Sequence, residues 1–357
     1  MPVQGLTRLR RHLFGRQAAF GTTVAATKAY PFKGVPEVEL NWTDPEVDMG
    51  SIDPVAAPHR EAPALTAPLT DPQLAYDTLP LLLAGFFGGS LEPTGGGTAQ
   101  TWHFTPASET IDPIDPFTYE FGDDVLTDWS QFGDGILDSV EFTGPDGLGP
   151  VTTSMAWRFG SVRSTGATDA PVVGSVPTPA LSVEGNPALV YGKDLAIYIA
   201  DAAAGLAAGQ VLDALHNFTL RLSGDIDEKR YSNGTQTFDV DAYVRTTRLI
   251  ELECTFAKTA DTVGTGSESD DWISDQSVDR YIRLTFTSTA EAQGGTPYSW
   301  TMTMPMRYYT RTEGEVGGNS VIVLTARAWF DTLLANGIFD TTVVCTTTSA
   351  DLGVSGS

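Results

Sequence analysis

Strict alternation of apolar and polar residues recurs along this chain, and it commits the fold to strands with one buried face. The longest case sets Tyr298, Trp300, Met302, Met304, Met306 and Tyr308 against Thr301, Thr303 and Arg307. Val38, Leu40 and Trp42 alternate in the same way, as do Met155, Trp157 and Phe159. So do Phe238, Val240, Ala242 and Val244, and after them Ile250, Leu252, Cys254 and Phe256. Ile282, Leu284 and Phe286 form another face, and Ile322, Leu324, Ala326, Ala328 and Phe330 the last. The chain carries 36 Gly and 22 Pro, which suits the many turns such a fold needs. A mainly β fold is expected.

Helix is scarce. Asp71-Pro72 reads as a cap and first turn, Asp77-Thr78-Leu-Pro80 as a second start, and Gly88-Gly89 as a stop. Between them Leu79, Leu82, Leu83 and Phe86 share one helical face. A short acidic helix is expected over 269–276, and 201–210 reads as loop. No run reaches the roughly 18 apolar residues of a membrane span, so a chain made and kept in a cytoplasm is expected. Cys254 and Cys345 lie in β-like runs and read as buried free thiols.

Residues 161–187 are rich in Gly, Ser, Thr, Pro and Ala and read as a linker. The halves on either side follow a similar order of strands and one helix. Tandem β-sandwich or barrel domains are therefore expected, each with a short helix. The divisions are a basic N-terminal arm (1–36), a first domain (37–160), the linker, a second domain (188–348) and a flexible tail (349–357).

Charge is distributed unevenly. The formal sum is −24, yet residues 1–36 hold six basic residues, Arg8, Arg10, Arg11 and Arg16 among them, and no acidic one. From Glu61 to Trp157 there are fifteen Asp and Glu and no Lys or Arg. Such a surface cannot hold DNA by neutralising phosphates. It gives solubility, or repels a polyanion. Asp239, Asp241, Glu251 and Glu253 are expected on adjacent strands, on the face opposite Phe238, Val240, Val244, Ile250, Leu252 and Phe256.

Nothing in the sequence builds a catalytic or metal centre. The four histidines, His12, His59, His103 and His216, have no ligand spacing. No nucleophile elbow, P-loop or paired-cysteine motif occurs. Gly133-Asp-Gly135 reads as a turn. Asp225, Asp227 and Glu228 lack the spacing of a calcium loop. Trp300, Tyr308 and Trp329 could form a sugar platform, but they sit on strand faces that a core would fill. The chain is expected to be no enzyme and to need no cofactor.

Several stretches carry a resemblance. They are Phe14-Gly15-Arg-Gln-Ala-Ala-Phe20-Gly21-Thr22-Thr-Val-Ala-Ala-Thr27, the helical Tyr76–Gly89, Trp102-His-Phe104-Thr-Pro, and Asp138-Ser-Val-Glu-Phe-Thr-Gly with the hairpin ending Met155-Ala-Trp-Arg-Phe-Gly160. Together they resemble the tail tube (major tail) proteins of long-tailed, non-contractile bacteriophages, over roughly residues 14–160; the second half matches in strand order. The resemblance implies rings that stack into a hollow tube through which DNA passes without specific binding. It implies a virion protein assembled in the host cytoplasm. Its partners would be itself and the tape-measure, tail terminator and baseplate proteins. Two domains per chain imply a trimer with pseudo-sixfold symmetry; a hexamer is the alternative. Asp239, Asp241, Glu251 and Glu253 would then line the lumen. Arg8, Arg10, Arg11 and Arg16 would lie on an inter-subunit arm, mobile when free and dispensable for folding. A baseplate or decoration protein, or a carbohydrate-binding β-protein, is the rival reading.

Overall fold

In the computed structural model the described residues are 10–24, 26, 28–39, 42–43, 59–60, 64–87, 93–95, 97–104, 116–123, 128–144, 149–164, 188–207, 210–211, 215–229, 242–258, 279–331 and 338–352. The first half contains β1 (Arg10–Arg16), β2 (Lys28–Tyr30), β3 (Lys33–Gly34), β4 (Glu37–Glu39), β5 (Trp42–Thr43), β6 (His59–Arg60) and β7 (Ala64–Asp71). Helix α1 (Leu79–Phe87) follows, then β8 (Gln100–Phe104), β9 (Phe117–Asp123), β10 (Asp128–Gly144), β11 (Thr152–Arg158) and β12 (Ser161–Ser164). The second half contains β13 (Leu195–Ala200), β14 (Gln210–Val211), β15 (Leu215–Ser223), β16 (Ile226–Lys229), β17 (Ala242–Arg245) and β18 (Leu249–Ala257). It ends with β19 (Arg280–Gln293), β20 (Thr296–Val316), β21 (Asn319–Ala328) and β22 (Asp340–Cys345).

The two halves repeat one topology. In the first, β4, β7, β11 and the C-terminal part of β10 lie side by side in that order, all antiparallel. In the second, β15, β18, β21 and the C-terminal part of β20 do the same. Counted along the chain, each set runs first, second, fourth, third. The N-terminal part of β10 continues into a second layer between β9 and β12, and that of β20 between β19 and β22. β1 flanks β9 as β13 flanks β19. A separate two-stranded ribbon follows the first strand of each set, β5–β6 after β4 and β16–β17 after β15. The halves are then stitched together: β10 pairs with β15, with Glu141 opposite Arg221 and Phe142 opposite Leu220, and β8 pairs with β22. One sheet of eight strand positions therefore crosses both halves, and a single apolar cluster runs beneath it.

Alternation places the core as expected in most strands. Trp300, Met302, Met304 and Met306 are fully buried, as are Trp157, Ile250 and Ile322. Facing layers meet through Phe142 and Trp300, ring centroids 5.0 Å apart, and through Phe218 and Phe286 at 5.6 Å. Cys254 and Cys345 are free and buried, and burial pushes the Cys345 thiol up to about 12. Helix α1 starts at the second of the two expected sites. All nine of its residues are buried, rather than one face. A Cβ on Gly85 would stand 2.8 Å from Trp157, so glycine lets the helix approach that ring. Asp71 ends β7 and accepts from the Gln73 amide, so no helix begins there. Asp77 accepts from the Thr346 amide at 2.8 Å and from the Thr346 and Thr347 hydroxyls, tying the C-terminal segment to the helix entry. The 201–210 stretch includes a 3-10 turn, Ala203–Ala207. Among the described residues no helix is long and apolar enough to cross a membrane.

Several expectations need correction. The basic arm is not separate from residue 10 onward. β1 pairs with β2 and β9, and Leu13 and Phe14 are buried, because each supplies an apolar side chain to one of the two faces of that layer. Gln17 donates to the Thr118 hydroxyl at 3.0 Å, holding the following segment down over Thr118 and Glu120. Burial raises the Glu120 carboxyl above its ordinary range, while a hydrogen bond from Gln131 opposes the shift. Of the linker, Ser161–Ser164 is β12, and 165–187 lies outside the described residues. Of the tail, Ala350–Leu352 forms a 3-10 turn with Leu352 buried. Gly133-Asp-Gly135 lies inside β10, not in a turn. Val38 and Phe330, expected inside, are 46% and 44% exposed; Val38 lies on β4 at one end of the sheet, and Phe330 lies past the last residue of β21. The helix expected over 269–276 lies outside the described residues.

Two outcomes follow. Phe256→Ala removes a side chain only 1% exposed and should cost about 3–5 kcal/mol in denaturant melts. Deleting residues 1–20 takes away β1 with its two pairings, so the truncated chain should melt at a markedly lower temperature or fail to fold by circular dichroism.

Candidate functional site

The outer face of the eight-position sheet carries a row of charged side chains in cross-strand register. Glu141 on β10 is opposite Arg221 on β15, which is opposite Glu251 on β18, then Arg327 on β21, then Arg307 on β20. Each pairing places two side chains on one face within reach of each other. Arg221 Nε donates to Glu141 at 2.6 Å, and Arg327 donates to Glu251 at 3.0 Å. Arg307 donates two hydrogen bonds to Asp279, at 2.6 and 2.8 Å. The hydrogen bond to Glu141 raises the Arg221 pKa further, with Glu253 and Glu251 adding to it. In the adjoining row Glu253 stands between Thr219 and Thr325, not beside another carboxylate.

Of the expected strip of four carboxylates, Glu251 and Glu253 lie on β18 between β15 and β21, while β17 pairs with β16. Alternation fixes which face a residue takes and leaves open which strand lies beside it. Asp239 and Asp241, with Phe238 and Val240, lie outside the described residues. On β17 Tyr243 is buried and packs on Ile136, while Val244 is half-buried. Nearby, Arg245 donates to the Leu137 carbonyl at 2.7 Å and covers the Phe86 ring, and burial lowers its pKa to about 10.

Arg8 lies outside the described residues, and Arg10, Arg11 and Arg16 lie on β1. Arg11 and Arg16 are partly buried. Asp225, Asp227 and Glu228 turn to separate partners: the Thr247 hydroxyl, Lys229 and Arg158. Among the described residues no three His, Cys, Asp or Glu are placed to hold a metal ion. Trp300 and Tyr308 are buried in the core, which leaves no sugar platform with Trp329.

A feature that periodicity did not reveal is the end of the sheet. Over Arg307–Val316, β20 pairs with β21 on one edge, and among the described residues no strand pairs with the other. Most of this stretch is exposed, including Tyr309 at 48%. At the opposite end of the same sheet, β4 pairs, among the described residues, with β7 alone, and all three of its residues are exposed. Unpaired strand edges are templates for pairing with another chain. Mixed charge on a long strand (Arg311, Glu313 and Glu315) was the available signal.

No family model matches the chain, and no curated protein matches it.

The Glu251–Arg327 pair is partly open to water, with side-chain exposures of 20% and 56%. A double-mutant cycle with Glu251→Ala and Arg327→Ala should therefore give a coupling of about 0.2–1 kcal/mol that shrinks as salt is added.

Proposed function

We propose that this chain is a structural subunit of a bacteriophage tail tube, forming rings that stack into a conduit for DNA. The observation that carries the reading is the repeated four-strand set, joined into one sheet whose two end strands each have, among the described residues, an unpaired edge. Opposite, non-identical edges make a head-to-tail contact, which closes into a ring when the rotation allows. Three chains bring six repeats to each ring, the pseudo-sixfold arrangement; six chains per ring is the alternative. The sequence resemblance over residues 14–160 supports the same reading.

The outer face of the eight-position sheet, with Glu251 and Glu253, is the proposed lumen lining. DNA slides where few cations are available to hold its phosphates. Here Arg221, Arg327 and Arg307 each hydrogen-bond a carboxylate, which occupies donors a phosphate would otherwise take. The protein has no catalytic role in this reading. Its partners are its own copies and the tape-measure, terminator and baseplate proteins, and its place is the virion.

Negative-stain electron microscopy of the purified protein tests this. Tubes or stacked rings with six lobes around a central channel are expected. Discrete small oligomers without a channel would favour a baseplate or decoration protein instead.

A further inference from the structure

Within the large sheet the repeat breaks, among the described residues, where the C-terminal part of β20 lacks the second neighbour that β10 has. The C-terminal part of β10 is flanked by β11 on one edge and β15 on the other. The corresponding part of β20 is flanked by β21 on one edge and, among the described residues, by nothing on the other. β15 is the first strand of the second set, and its counterpart in the first set is β4, whose outer edge is also unpaired among the described residues. We infer that β4 of a second copy of this chain fills the open edge of β20, as β15 fills that of β10 within one chain. This rests on the assembly reading above and names the contact that would close its ring.

Strand direction agrees. Every pairing from β4 through β7, β11, β10, β15, β18 and β21 to β20 is antiparallel. Over eight positions this leaves β4 and β20 pointing in opposite senses. Copies arranged by rotation about a ring axis share one orientation. The junction between β20 of one copy and β4 of the next is then antiparallel too, and the alternation continues unbroken.

The repeat also sets the register. β10 shifts against β11 between Leu137 and Ser139, and β20 shifts against β21 between Tyr308 and Thr310. Superposing these irregularities makes Thr312 the counterpart of Glu141. Ala67, opposite Trp157, then corresponds to Leu252, opposite Ala326, which makes Glu37 the counterpart of Arg221. The internal pair Glu141 and Arg221 thus predicts Thr312 opposite Glu37 of the partner subunit, and Thr310 opposite Glu39 of the partner subunit. The same register puts Lys33 of the partner subunit opposite Val316, next to Glu315. Arg307 and Arg311 lie along the edge that receives the two carboxylates. Val35 and Val38, 42% and 46% exposed in one copy, are covered in the junction.

Cysteine cross-linking tests the contact. Thr312 and Glu37 are both exposed, and the native Cys254 and Cys345 are buried, so only introduced thiols should react under mild oxidation. The double variant Thr312→Cys with Glu37→Cys should give a ladder of covalent oligomers on non-reducing gels that collapses on reduction. An equal mixture of the two single variants should give dimers only, and each single variant alone should give none. Dimers from Thr312→Cys alone would mean that β20 pairs with β20 and would overturn the inference. So would tubes or rings that form without the cross-link, or a double variant that stays monomeric at every concentration. Cross-linked rings that never stack into tubes would keep the contact and reject the tail-tube reading; tubes without the cross-link would do the reverse. Melting curves of the reduced variants check folding. Thr310→Cys with Glu39→Cys is a second pair with the same expected outcome should the first disturb the fold.

Discussion

Strand β10 belongs to two sheet layers at once, and the rest of the molecule is arranged around the point where it changes partners. At Gly133-Asp134-Gly135 its neighbours change from β9 and β12 to β11 and β15. Asp134 takes a φ of 56°, an uncommon conformation for a residue with a side chain. Its carboxylate accepts from the Gly21 amide at 2.7 Å and the Ser161 hydroxyl, and its amide donates to Gln17. A Cβ on Gly135 would sit 2.6 Å from Phe159 and 2.9 Å from the Phe117 carbonyl oxygen, so glycine is needed for the strand to bend this close to β9. β20 makes the equivalent change near Pro305, which has no amide hydrogen to leave unpaired. The hydrogen bond from Gly160 to Gly133 in the first half has its counterpart in Trp329 to Pro305 in the second.

Because both long strands bend, the two layers face each other over one core, and each half takes part in closing the other. The apolar cluster mixes Phe142 and Trp157 of the first half with Phe218, Phe286 and Trp300 of the second. The two halves therefore repeat one topology around a shared apolar cluster. Side chains at matching positions differ freely, since a core asks for apolar volume rather than identity. The bend itself is made by glycine and aspartate in one half and by proline in the other.

Net charge and local charge tell different stories. The chain sums to −24, yet the outer face of the large sheet sets Arg221 and Arg327 against Glu141 and Glu251. Cross-strand register, not composition, decides which carboxylates meet a cation. The strongly acidic stretch from Glu61 to Trp157 places Glu120 in a buried site instead, where the loss of water raises its pKa.

The sequence by itself determined the class of fold and most of the core. A period of two over β18, β19, β20 and β21 assigns each residue to a face, and Ile250, Leu284, Met304 and Leu324 are inside as that period requires. It also carried the helix at Leu79 and the parallel order of the two halves. It did not carry β1, whose arginines read as an arm. Nor did it carry the N-terminal part of β10, where Gly133, Asp134 and Gly135 interrupt the alternation. Which strand lies beside which was decided by tertiary structure alone. Pairing depends on backbone hydrogen bonds between segments far apart in the chain, such as Glu141 with Arg221, and backbone amides and carbonyls are the same in every residue but proline. The edges of β4 and β20 left unpaired among the described residues are a property of that pairing, because an edge exists only once the other strands have found their neighbours.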